Sequence, residues 1–275
     1  MNIILIISLL LNASIAFAQT NNDCELFARY EFTWLKDTVH LEYNYEDYNL
    51  VKTHNHVYFF NSAHEHNDSI YTAAGYNMSN YTDREQSKRW RKDWNEGRFA
   101  SFIKIPLSEL IYFSEMQRKT ENYVRFRDMG KPQYYSLSID IPSWDIANES
   151  DTLMGLEVIQ AKTNYGGRNY IAWFAPSIPI NEGPYVFRGL PGLILKVTDD
   201  ENKYSFELIQ YKKNVDNCFI PFEVDWVHKR VSYDEWVQVR KECYYNPRMV
   251  VQIKEQKENY RKYVLNNSRY LLLER

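Results

Sequence analysis

Gly183-Pro184-Tyr185-Val186-Phe187-Arg188-Gly189-Leu190-Pro191-Gly192-Leu193-Ile194-Leu195-Lys196-Val197 is the stretch in which glycine, proline and apolar residues are most tightly ordered. In Leu190-Pro191-Gly192-Leu193, proline is preset for the second position of a β-turn, and glycine supplies the positive φ that a type II turn needs at the third. Before the turn, Tyr185 and Phe187 alternate with Val186 and Arg188. After it, Leu193, Leu195 and Val197 alternate with Ile194, Lys196 and Thr198, as half-buried strands do. The expectation is a hairpin with strands over 184–188 and 193–198. No nucleophile, metal cage or phosphate loop falls inside it, so the stretch speaks for architecture and not for chemistry.

Working outward, residues 156–163, 169–175 and 203–211 also read as strands, with Asn164-Tyr165-Gly166-Gly167 and Asp199-Asp200-Glu201-Asn202 as tight connections. Strands so closely spaced leave no room for helical crossovers, so the sheet is an antiparallel meander. Towards the N-terminus, Leu26, Ala28, Tyr30, Phe32 and Trp34 alternate with polar neighbours, which places a long strand over 25–35 with one buried face. A Tyr-rich extended segment to Tyr48, a short strand over 57–60 and a polar loop over 61–69 follow. A charged segment, 83–98, carries Trp90 and Trp94 on one helical face. Further strands are expected over 111–118, 123–128 and 133–139. Helices close the chain. Ser232 and Glu235 have capping-box spacing, and Asn246-Pro247 opens a helix over 248–265 striped by Met249, Ile253, Tyr260 and Val264. That stripe docks on the sheet in the ordinary case. The fold class expected is α+β, mostly β: a curved antiparallel meander sheet with helices at the C-terminal end, in one domain over 19–275.

Among 275 residues, 44% are apolar and 25% charged, as in ordinary globular chains, but 23 Tyr, 14 Phe and 7 Trp are unusually many. Aromatics favour strands. The net charge of -3 is spread without a basic block, which argues against nucleic acid as a partner. Residues 3–18 form an apolar run ending in Ala16-Phe17-Ala18, the small-x-small pattern of signal-peptide cleavage, although Met1-Asn2 contributes no Lys or Arg. The expectation is a signal peptide over 1–18, a mature chain from Gln19, and no permanent membrane anchor, since a spanning helix needs roughly 20 apolar residues. The product is then periplasmic or secreted. Of the three cysteines, Cys24, Cys218 and Cys243, one pair can join in an oxidising compartment. Cys218 with Cys243 is the expected pairing; three unpaired thiols is the alternative. No CxxC occurs, which argues against a redox motif or zinc knuckle.

Gly167-Arg168, Ala172-Trp173-Phe174, Ile178-Pro179-Ile180, Gly183-Pro184-Tyr185, Phe187 and Gly189-Leu190-Pro191-Gly192-Leu193-Ile194, in that order, resemble the GLPGLI family, named for the last hexapeptide. The resemblance implies an exported protein of the Bacteroidota cell envelope. It implies no activity. It runs from about Tyr165 to Asp199 and fades by Tyr211; the tail Asn267-Ser268-Arg269-Tyr270 departs from the Asn-Pro-Ile-Glu-like ending of many members.

Two groups of residues could carry chemistry. His54, His56, His64 and His66 form two His-x-His pairs; residues two apart share a face of a strand, so each pair could hold a divalent metal with Glu65 or Asp68 beside it. The simpler account is a solvated polar loop. Arg168, Trp173, Tyr185 and Arg188 could line an aromatic, cationic groove for a carboxylate, glycan or peptide if strands 169–175 and 184–188 are neighbours. Its counterpart is structural: Trp173 and Tyr185 in the core and the arginines paired with Glu182 or Asp199. No GxSxG, HExxH or P-loop motif is present. The chain therefore reads as an exported binding or interaction protein, with an envelope protein, peptide or lipid as partner, a curved sheet for an apolar or peptidic ligand, and no resident cofactor. The rival readings are a metal-assisted hydrolase using residues 54–66, and an accessory subunit acting through its last helix or an open strand edge.

Overall fold

The computed structural model describes residues 23–37, 42–76, 84–98, 101, 108–114, 119–128, 131–220, 229–232 and 234–235. Its strands are β1 (Cys24–Asp37), β2 (Glu42–Lys52), β3 (His56–Asn61), β4 (Ser108–Ser114), β5 (Lys119–Asp128), β6 (Lys131–Ile139), β7 (Asp145–Leu153), β8 (Leu156–Tyr165), β9 (Arg168–Ala175), β10 (Leu193–Asp199), β11 (Tyr204–Val215) and β12 (Lys229–Arg230). Two helices, α1 (Ala63–Ala73) and α2 (Arg84–Asn95), lie between β3 and β4. All strands belong to one sheet in the order β12-β6-β5-β4-β3-β2-β1-β11-β10-β9-β8-β7. Every pairing is antiparallel except β12 with β6, which is parallel. The sheet is thus two meanders, β1 to β6 and β7 to β11, sewn together where β1 pairs with β11.

The connection from β6 to β7 shows that this sheet must curl. The two strands stand ten places apart in the order, which in a flat sheet is roughly 48 Å at about 4.8 Å per strand. Residues 140–144 join them, and six residue steps reach at most about 22 Å. The ends of the sheet therefore approach one another; among the described residues the β12 and β7 edges do not pair to close a barrel. The connection crosses the inner face: Ile139 and Trp144 pack on the main core, Trp144 Nε1 donates to the Arg188 carbonyl at 2.8 Å, and Thr163 Oγ1 donates to the Ser143 carbonyl at 2.6 Å.

The alternation expected for β1 is present, with Leu26, Ala28, Tyr30, Phe32 and Trp34 all buried. Phe32 stacks on Phe206 of β11 at 4.4 Å between centroids, and Tyr48 of β2 stacks on Phe59 of β3 at 5.1 Å. These rings form a ladder across adjacent strands, the arrangement that offset aromatic packing favours. Two-residue loops with both residues at positive φ close β7–β8 (Met154 φ 52°, Gly155 φ 75°) and β8–β9 (Gly166 φ 58°, Gly167 φ 79°), as type I′ turns require.

Four expectations need correction. First, residues 184–188 are not a strand, and 183–197 is not a hairpin. β10 pairs instead with β9, and 176–192 is a long connection folded over the inner face. Val186 and Phe187 are consecutive and both buried, whereas a half-buried strand exposes every second residue. Second, Gly192 is not at positive φ. Its amide donates to the Leu190 carbonyl at 2.8 Å, and a Cβ there would lie 2.3 Å from the Ala175 carbonyl oxygen. The glycine is needed for close approach, not for a type II turn. Third, residues 63–73 within and beyond the expected polar loop form α1, because the helix docks through Ala63, Asn67 and Tyr71, a stripe at helical spacing that hydropathy alone hides. Fourth, Cys24 is bonded to Cys218, with Cα atoms 6.0 Å apart, and not Cys218 to Cys243. β1 and β11 run antiparallel with Cys24 opposite Val215, so the chain leaving β11 returns Cys218 to the start of β1. Cys243 and the expected helix over 248–265 lie outside the described residues. The Ser232–Glu235 capping box is formed: Ser232 N donates to Glu235 Oε2 at 2.9 Å, and Glu235 N to Ser232 Oγ at 3.3 Å.

Candidate functional site

The aromatic and cationic residues separate when the chain folds. Arg168 opens β9 and shares its parity with Tyr170, Ala172 and Phe174, whose side chains are buried in the core. Trp173 has the opposite parity, yet it is half-buried and packs against the main core, as Tyr185 does. Arg168 Nη1 donates to Asp199 Oδ2 at 3.1 Å, and its guanidinium lies 4.8 Å from the centroid of the Tyr204 ring. The same Asp199 carboxylate accepts from the amides of Lys203 and Tyr204, at 2.7 and 2.9 Å. Asp199, itself buried, thereby closes the β10–β11 turn and neutralises Arg168.

Arg188 and Tyr185 come together inside the 176–192 connection. Tyr185 adopts φ 55°, an uncommon conformation for a bulky residue, and stacks on Phe206 at 6.3 Å. Arg188 Nη2 donates to Glu182 Oε1 at 2.7 Å, with side chains 8% and 1% exposed. Lys52, at the end of β2, lies 3.9 Å from the same Glu182 oxygen and 3.8 Å from Glu25. A chain of alternating charge thus runs inward from the surface: Glu25, Lys52, Glu182, Arg188. The motif backbone is held separately. Tyr30 Oη donates to the Ile194 carbonyl at 2.8 Å; burial first, and then the Glu182 charge, push the Tyr30 phenol well above its ordinary range. Gly189 N donates to Asn181 O, Leu193 N to Ile178 O and Ile194 N to Glu182 O, at 2.9, 2.9 and 3.0 Å. Gly183 is another point of close approach, since a Cβ there would lie 2.4 Å from the Phe187 carbonyl oxygen. Gly183, Pro184, Gly189, Leu190, Pro191, Gly192, Leu193 and Ile194 thus form a buttress for the core.

The histidines also disperse. His54 sits in the β2–β3 turn, its side chain 89% exposed and its Nδ1 3.5 Å from Glu25. His56 begins β3, where burial lowers its imidazole below the ordinary range. His64 and His66 are on α1, where residues two apart point away from each other. His66 Nε2 lies 3.1 Å from the Ser101 carbonyl, and His64 packs edge-on against Phe60. Glu65 turns to the sheet and binds Arg29 and Asn49 at 3.1 and 3.0 Å. Among the described residues no group of three or more His, Cys, Asp or Glu is placed to hold a metal ion.

Two features escaped the sequence reading. Lys52 is a lone base at a strand end, and nothing local ties it to Glu182. β7, Asp-Ile-Ala-Asn-Glu-Ser-Asp-Thr-Leu, has neither apolar alternation nor β-branched density; only the Met154-Gly155 turn before β8 hints at it.

Residues 113–196, from β4 through most of β10, match the family described as "Protein of unknown function (Porph_ging)". No curated protein matches the chain. Two structures of PNGF-II, in space groups P21 and C2, are similar in fold, with TM-scores of 0.52 and 0.51 at 9% and 10% sequence identity. The likeness covers 80% of this chain and 33% of PNGF-II in both cases, so the chain spans about a third of the length of that protein. At such identity the likeness shows the fold alone.

Proposed function

We propose that the protein is an exported interaction protein of the cell envelope or its surroundings that holds a peptidic ligand on its curved sheet. The ordered motif from Gly167-Arg168 to Ile194 favours the GLPGLI family within the broader uncharacterised match. The observation that carries the reading is the use made of the charged and aromatic residues. Arg168 and Arg188 are both committed to internal carboxylates, and the inner face over β1–β3 and β8–β11 is filled by residues 176–192 and 139–144. An apolar ligand there would have to displace the chain itself, which leaves the rim and outer surface of the sheet as the contact area. Export is supported by the apolar leader ending at Ala18 and by the Cys24–Cys218 bond, of a kind that persists in oxidising compartments.

Affinity capture of the full chain from the native envelope, with mass spectrometry of both the bound species and the mature N-terminus, tests this reading. The expected result is a mature chain starting at Gln19 that retains a peptide or protein. Recovery in the cytosol with the leader intact, or turnover of a small molecule with no retained polypeptide, would overturn it.

A further inference from the structure

The two ends of the sheet are finished differently. β12 is two residues long and basic, Lys229-Arg230. β7 is nine residues long, pairs on one side with β8, and stands last in the strand order. In a hairpin closed by a two-residue loop the residues flanking the loop form a hydrogen-bonded pair, and bonded and non-bonded pairs alternate from there. Leu153 and Leu156 flank the Met154-Gly155 loop, and Thr152 faces Glu157 while Ser150 faces Ile159. Thr152 and Ser150 therefore turn their N–H and C=O groups away from β8. Thr152 N–H is met by the Asp151 carboxylate of its own strand, at 2.7 Å.

The chain segment that forms that edge is acidic, and Lys162 of β8 stands opposite Asp145 at its far end, away from residues 150–153. From Asp140 to Glu157 the chain carries Asp140, Asp145, Glu149, Asp151 and Glu157 with no Lys, Arg or His between them, and all five are exposed. Resting on the reading as an interaction protein, we propose that β7 accepts an extended, Lys- or Arg-bearing segment of a partner polypeptide as an additional strand. Main-chain bonds to Ser150 and Thr152 supply the attachment, as in other strand additions. The acidic row supplies the selectivity, because opposite charges on adjacent strands stabilise and like charges repel. A basic side chain of the incoming strand pairs with Asp151, draws its carboxylate from Thr152 and frees that N–H for the new ladder. A second copy of this chain is disfavoured as occupant: its β7 would set carboxylate against carboxylate, and its β12 offers two residues of ladder. The bulge that displaces 147–149 between Ile146 and Ser150 limits the regular edge to residues 150–153, as edge-protecting bulges do.

Three eight-residue β-prone peptides test the proposal against the full chain at low and high salt: one alternating Lys with Val and Thr, one with Glu in place of Lys, and the Lys peptide N-methylated at every second residue. The wild type is expected to bind the Lys peptide about ten-fold or more tighter than the Glu peptide, less tightly in high salt, and to lose it on N-methylation. Glu149→Lys with Asp151→Lys is expected to reverse the charge preference. Should that variant fail to fold, Asp151→Asn alone is expected to reduce the preference. Equal binding of the methylated peptide, a preference unchanged by the substitutions, or concentration-dependent self-association through β7 overturns the proposal. So does the absence of any peptide binding; a polypeptide still retained in envelope capture would then leave the interaction reading standing while this edge is excluded.

Discussion

Residues 183–194 and β7 are both short, yet they dispose of their polar groups in opposite ways. In the motif, Gly183 and Gly192 admit neighbouring carbonyls where a Cβ would collide, Arg188 is closed on Glu182, and the Ile194 carbonyl receives the Tyr30 hydroxyl. The Arg188 Nη2 group and the Ile194 carbonyl are both answered from within the fold. In β7 every side chain but those of Ala147 and Leu153 is exposed, and Ser150 and Thr152 turn their backbone groups outward. A tightly patterned motif can therefore be the least available part of a surface, and an unremarkable acidic strand the most available. The motif stabilises the core, and the rim of the sheet stays available.

Four perturbations break or sharpen that contrast. Loss of the Cys24–Cys218 bond should have the largest effect. The bond spans 194 residues of sequence, a closure worth about 5 kcal/mol in the chain-entropy description. Cys218→Ser is expected to lower stability by a large part of that figure in denaturant titrations, with no comparable loss from Cys243→Ser. Equal losses would mean that the cysteines are coupled differently. Arg188→Ala comes next. It removes the nearer of two cations from the buried Glu182 carboxylate and leaves Lys52 at 3.9 Å. The expected cost is therefore at most the roughly 3–5 kcal/mol of breaking a buried pair, and pairing it with Glu182→Gln should recover part of the loss. Arg188→Ala without a stability change would show the motif to be open after all.

The third perturbation is a matched pair. Tyr30→Phe leaves the Ile194 carbonyl without its donor and is expected to cost about 1–2 kcal/mol. Tyr170→Phe should be near neutral, because the buried Tyr170 hydroxyl has no hydrogen-bond partner among the described residues. Both phenols are raised above their ordinary range, chiefly by burial. Above about pH 10 the unfolded chain releases phenolic protons that the folded chain keeps, so stability falls as pH rises, by up to about 1.4 kcal/mol per pH unit for each group. Below that pH both states are protonated and neither group contributes. Each Phe substitution should flatten the alkaline limb; an unchanged limb would locate the titration elsewhere. The smallest effect belongs to β7. Met154 occupies a positive-φ position of a type I′ turn, where Asn is better suited. Met154→Asn is expected to raise stability by about 0.5–1 kcal/mol, as a small rise in Tm, without altering peptide binding.

Much of the sheet was legible because β1, β8, β9, β10 and β11 each carry a two-residue period or a glycine turn, signals that tertiary packing preserves. Residues 184–188 misled because period two also arises in a loop buried on both sides. α1 was hidden because Asn67 takes a core position that hydropathy assigns to solvent. The site residues show the same limit. Each arginine's partner, Asp199 or Glu182, could be named from the sequence as the structural alternative to a groove. Lys52 joins Glu182 across 130 residues of sequence, and no local pattern records that contact.

Amide hydrogen exchange on the chain, followed residue by residue over 145–153 and 183–194, tests the contrast most directly. The account predicts that Phe187, Gly189, Leu193 and Ile194, whose amides donate within the fold, exchange only with global unfolding. Ser150 and Thr152 should exchange orders of magnitude sooner and become protected when the Lys-bearing peptide is added. Rapid exchange across 183–194 together with slow exchange at Ser150 and Thr152 in the free protein would contradict it.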